Sequence, residues 1–108
     1  MVRGTADNFQ SEVKESTVLA VVDFYSDSCM PCKRMSPILA ELEEEYGERL
    51  KLVKVSVNAN PELTEQYEIL SAPTLVLFMH GEERERKTGF IRKDDLREII
   101  NQILEETI

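Results

Sequence analysis

The chain has 108 residues, 42% of them hydrophobic, with 13 Lys and Arg against 21 Asp and Glu. That length fits one compact domain, able to bury roughly 65% of its unfolded surface without disulfide or metal staples. A net charge of −8 argues against a nucleic-acid partner, and no apolar run approaches the ~18 residues of a membrane span.

The opening residues Met1 to Asn8 carry no apolar signal segment, so a cytoplasmic protein is expected. Thr5 as an N-cap, with Asp7 in the first turn, predicts a helix to about Ser16 with Phe9 and Val13 on one face. Residues 18–25 are apolar almost throughout, which predicts a strand covered on both faces at the centre of a sheet. Met35, Ile38, Leu39, Leu42 and Tyr46 then recur at helical spacing. They predict an amphipathic helix from about Pro31 to Tyr46, ended by Gly47.

Residues 50–57 read as a second strand, rich in Val and Leu. Asn60-Pro61-Glu62 predicts a cap and a first-turn proline opening a short helix through Tyr67. Residues 73–79 form a third apolar strand. His80-Gly81-Glu82-Glu83 is read as a turn, and residues 84–88 as an antiparallel edge strand with charged side chains outward. Leu96, Ile99, Ile100, Ile103 and Leu104 make one stripe of a final helix, with Asp94 and Asp95 in its first turn. Strand–helix–strand joins parallel strands and strand–turn–strand joins antiparallel ones. The expected class is therefore α/β, a mixed sheet with helices on both faces.

Both cysteines fall in Cys29-Met30-Pro31-Cys32. As a staple the pair is weak, because closing so short a loop contributes only about 2 kcal/mol. A structural zinc site within one chain needs four ligands, and Cys29, Cys32 and His80 supply three at most. A metal or iron–sulfur centre shared between two chains is the alternative left open. A redox pair accounts for the placement. The motif sits between a buried strand and the first turn of a helix, where unpaired N–H groups and the helix dipole favour a thiolate. One thiolate attacks a disulfide, and the second sulfur, one turn on, resolves the mixed disulfide. His80, next to Gly81, reads as an exposed hairpin residue.

Asp23 interrupts the apolar strand ahead of the motif, where an unpaired buried carboxylate is costly. Two readings stand: an ion pair with Lys54 on the neighbouring strand, or a proton carrier whose affinity burial has raised.

Val22-Asp23-Phe24, Cys29-Met30-Pro31-Cys32-Lys33, Pro37, Lys54, Ala72-Pro73-Thr74, Gly81 and Gly89 together resemble the thioredoxin family in order and spacing. The resemblance covers nearly the whole chain and implies one thioredoxin-like domain over residues 1–108. It implies a thioredoxin fold, with parallel strands plus a C-terminal antiparallel hairpin, and a dithiol–disulfide oxidoreductase. On this likeness Cys29 is the exposed nucleophile, Cys32 the buried resolving thiol, Asp23 the base that deprotonates Cys32, and Lys54 its modulator. Met30, Pro31, Ala72, Pro73 and Gly89 would contact substrate, with Ala72 preceding a cis-proline and bonding an extended segment. The sequence departs from the family at two positions beside the nucleophile: Ser28 stands where Trp is usual, and Met30 where Gly is usual. The short stretch Met1-Val2-Arg3 is all that remains of the family's first strand.

The expected activity is reduction of protein disulfides without bound cofactor or metal, using an external electron donor such as a thioredoxin reductase. The alternatives are a specialised oxidase or isomerase, a partner-specific redox protein, or a non-catalytic binding module on the same fold.

Overall fold

The computed structural model describes residues 1–107. Leu19–Tyr25 forms β2, in which every residue but the last is buried. It lies at the centre of a five-stranded sheet ordered β1-β3-β2-β4-β5. The partners are β1 (Val2–Arg3), β3 (Leu50–Ser56), β4 (Thr74–Met79) and β5 (Glu82–Thr88). β3 runs parallel to both β1 and β2, whereas β4 is antiparallel to β2 and to β5. The sheet is mixed, as expected. The strand–helix–strand step from β2 to β3 and the β4–β5 hairpin follow the predicted rule, but the step from β3 to β4 does not. β4 runs antiparallel to β2 and so opposite to β3, because the intervening helix returns the chain to the far side of β2.

Strand side chains alternate between faces, and this assigns the two cores. Leu19 and Val21 join Leu50, Leu52, Leu75 and Leu77 beneath α1 (Met30–Tyr46) and α3 (Lys93–Glu106). Ala20, Val22 and Phe24 face the other way, toward Phe9, Val13 and Leu63, the last on α2 (Pro61–Gln66). By the same alternation Asp23 and Lys54 both face the α1 layer. No helix of the described residues is long and apolar enough to cross a membrane.

The first predicted helix is replaced by a π-helical turn over Gln10–Lys14. Its wide turn closes through Glu15 N–H to the Gln10 carbonyl at 2.9 Å, and Lys51 Nζ donates to the Glu12 carbonyl at 3.2 Å. Phe9 and Val13 nevertheless both reach the core. The cap is also reversed: Thr5 N–H donates to Asn8 Oδ1 at 2.7 Å, and Asn8 Nδ2 donates to the Arg3 carbonyl at 2.9 Å. Asn60 does not cap α2 with its side chain. Its amide is drawn to the Ser56 carbonyl at 3.0 Å instead.

The β4–β5 turn is tighter than predicted. Only His80 and Gly81 are unpaired, at φ of 52° and 81°, the left-handed pair that suits a two-residue hairpin. Glu82 and Glu83 pair with Met79 and Phe78, and Arg84 becomes the extra residue of a bulge. A Cβ on Gly81 would lie 2.8 Å from the Lys14 carbonyl oxygen, so this corner also packs against the π-turn.

Candidate active site

β2 ends at Tyr25, and a short loop carries the chain to the N-terminus of α1. Asn58, just past β3, holds that loop by accepting from Ser26 Oγ at 3.3 Å and Asp27 N–H at 3.5 Å. Cys29 is the N-cap residue of α1, in extended conformation, and its Sγ accepts the Cys32 N–H at 3.1 Å. Pro31 occupies the first turn, where its missing N–H leaves no bond unmade. Pro37 lies inside α1 and can donate nothing to the Lys33 carbonyl.

Cys29 and Cys32 form a disulfide, with their Cα atoms 5.2 Å apart. The two sulfurs are not equivalent. Cys29 is half-buried at the surface, whereas Cys32 is 6% exposed. On reduction, the N–H aimed at Cys29 and the positive end of α1 stabilise a thiolate on that residue.

Two distant segments close around the pair. Cys29 Sγ lies 3.4 Å from the Ala72 carbonyl oxygen. The Ala72–Pro73 peptide is cis, and the Pro73 carbonyl accepts from Gly89 N–H at 2.8 Å. Two residues on, Ile91 N–H donates to Met35 Sδ on α1 at 3.4 Å. Between them, the Phe90 ring lies 4.4 Å from the Arg34 guanidinium carbon. Met30, 65% exposed, stands at the rim.

Beneath this layer Asp23 is completely buried, and neither carboxylate oxygen has a hydrogen-bond partner. Burial raises its pKa from 3.8 to about 6, with the nearby Lys54 charge acting in the opposite sense. Lys54 is the register partner of Asp23 across β2 and β3. Its ammonium, however, donates to Ser36 Oγ at 2.8 Å and lies 4.8 Å from the Tyr25 ring centroid. Of the two readings left open for Asp23, the direct ion pair is therefore not formed. A cavity of ≈ 180 Å³ beside Cys32 is lined by Tyr25, Ser26, Asp27, Lys33, Ser36 and Lys54, giving the buried sulfur a path to water.

The structure thus gathers Cys29, Met30, Pro31, Ala72 and Gly89 with the buried Cys32 and Pro73 around the disulfide, while Asp23 and Lys54 lie on the sheet face that carries α1. Sequence reasoning missed Ser36, although it stands four residues after Cys32 on the same helical face. It also missed Phe90 and Asn58, whose proximity arises only when distant elements fold together.

An accessible sulfur that accepts a helix N–H, with its disulfide partner buried and an unpaired carboxylate buried in the strand leading to the motif, defines a thiol–disulfide oxidoreductase. Comparison with known proteins agrees. Residues 1–102 match the family Thioredoxin. The thioredoxin of Bacillus subtilis (strain 168) is 40% identical over 104 residues, covering 96% of this chain and 98% of its own. That of Listeria monocytogenes serovar 1/2a is 40% identical over 103 residues, covering 94% and 98%. That of Rickettsia prowazekii (strain Madrid E) is 37% identical over 103 residues, with the same coverage. The chain belongs to the thioredoxin family, has the thioredoxin fold, and is a protein-disulfide oxidoreductase.

Proposed function

We propose that the chain works in the reducing direction, in the cytoplasm, as a single unit over residues 1–108. The Cys29 thiolate attacks one sulfur of a substrate protein's disulfide. A mixed disulfide forms, and the other substrate sulfur leaves as a thiolate. Asp23 accepts the proton of Cys32, directly or through water in the adjoining cavity, and Cys32 attacks Cys29 Sγ. The second substrate thiolate departs, so two electrons pass to substrate and the Cys29–Cys32 disulfide remains. An external donor such as a thioredoxin reductase restores the dithiol, and no resident cofactor takes part.

Lys54 tunes Asp23 from a distance, keeping its proton affinity close to neutrality where a base is most useful. Met30, Pro31, Ala72, Pro73 and Gly89 form the surface on which an extended substrate segment lies. The observation that carries the division of roles is the Cys32 N–H bond to Cys29 Sγ, made at 3.1 Å while Cys32 itself is buried.

Reduction of a protein disulfide by the reduced chain tests this reading. Cys29→Ser abolishes turnover, and Cys32→Ser accumulates covalent mixed disulfides. Equal residual activity in both variants overturns the assignment, and a strongly oxidising potential for the pair overturns the direction.

A further inference from the structure

The chain carries a net charge of −8, yet the segments that meet at its disulfide hold several cations. Residues 28–37, 70–73 and 89–93 include Lys33, Arg34, Arg92 and Lys93 and no Asp or Glu. Asp27, two residues before Cys29, lines the cavity beside Cys32 together with Lys33. Lys93 is 3.9 Å from Glu41, and Arg92 is 3.2 Å from Asp95. The Arg92 pair is exposed, so it gives way easily to a better partner.

Arg34 differs from these. Among the described residues no carboxylate stands within ion-pair distance of it, and its guanidinium is held against the Phe90 ring. Phe90 is itself 37% exposed. This cation–π contact restrains the guanidinium, and its N–H donors form a fork that matches a carboxylate. Phe90 adjoins Gly89, which is tied to Pro73, and Ala72 next to it carries the carbonyl that meets Cys29, so the Arg34–Phe90 pair belongs to the segments that converge on the disulfide.

We propose that Arg34, held by Phe90, is a specificity determinant that selects disulfide partners carrying an acidic residue close to the attacked cysteine. The proposal rests on the reductase reading and adds a substrate class to it. Opposite charge speeds encounter, and the bidentate contact holds the segment in register against Ala72.

Disulfide-bonded peptides differing only in Glu or Gln two to four residues from one cysteine, about 7–14 Å of extended chain, test it. Turnover of each is measured with the wild-type chain, Arg34→Gln and Arg34→Glu, at low and high salt, with uncharged 2-hydroxyethyl disulfide as control. The wild type favours the Glu peptide by about five- to tenfold in kcat/KM, and salt erodes the preference. Arg34→Gln abolishes it, Arg34→Glu inverts it, and neither changes the rate with the uncharged disulfide. Equal wild-type rates on the two peptides overturn the proposal. So does an Arg34→Gln loss that is as large on the uncharged disulfide, since Arg34 would then act on the cysteine pair itself. Failure of the wild type to reduce any of the three overturns the reductase reading beneath it.

Discussion

Asp23 and Lys54 are register partners on adjacent parallel strands, facing the same layer, yet the Lys54 ammonium bonds Ser36 and leaves the carboxylate unpaired. The cation is close enough to restrain the rise in the Asp23 pKa but does not abolish it. An uncompensated carboxylate in a core is a cost to the fold. On the proposed mechanism that cost is turned to use, since a carboxylate with raised proton affinity can accept a proton.

The first prediction concerns stability. The folded pKa of Asp23 is raised from 3.8 to about 6, so between these values the native state binds more protons than the unfolded chain. Stability therefore falls as pH rises through this window and is flat above it, a loss of roughly 3 kcal/mol. Asp23→Ala should be more stable than wild type by about 2–3 kcal/mol at pH 8, with the gain shrinking as pH falls toward 3.8. Urea denaturation across this range measures it. A gain independent of pH would show that the carboxylate is not its source.

Removing the neighbouring cation should move the acid in the opposite sense. Lys54→Met takes away the charge that lowers the Asp23 pKa, so the midpoint of an Asp23 carboxyl NMR titration should rise above about 6. A midpoint that stays or falls would assign the tuning to another group.

Gly4 sits where β1 crosses the edge of β3. A Cβ there would lie 2.7 Å from Val53 Cγ1 and 2.8 Å from Val55 Cγ2. Gly4→Ala should cost about 1–3 kcal/mol by overpacking. Adding Val55→Ala should recover part of that loss, giving a non-additive double-mutant cycle. Strict additivity would place the cost in the backbone rather than in the contact.

Tyr46 links the two helices on one face of the sheet, its hydroxyl donating to Asn101 Oδ1 at 2.5 Å. Tyr46→Phe removes the donor but keeps the ring, and should cost about 1 kcal/mol. For a domain of this size that is a fall in Tm of about 4–8 °C, measured by calorimetry. An unchanged Tm would show that the bond contributes nothing net.

Much of this protein is legible in its residues taken in order. The apolar run around Val21 and Val22 is the central strand, the stripe from Met35 to Tyr46 is the long helix, and Leu96, Ile100 and Ile103 are its partner's buried face. These signals are local, because burial of one face imposes a period of two or 3.6 on neighbouring residues. Where short polar residues decide the geometry, reading was less accurate. Thr5, expected as the N-cap, instead donates its own N–H to Asn8, and Asn60 bonds backwards to Ser56. Such side chains have several backbone partners within reach, and packing selects among them.

The cysteine pair, its place at a strand–helix junction and the buried acid ahead of it were determined by sequence alone. Spacing within a few residues settles which sulfurs meet and which turn of helix carries them. Only the tertiary structure decided the surroundings: Ala72 against Cys29, Gly89 tied to Pro73, Phe90 under Arg34, and Lys54 drawn to Ser36. The physical reason is that a thiol's microenvironment and a carboxylate's proton affinity depend on groups far away in the chain. No local period encodes which of them the packed sheet and helices bring within reach.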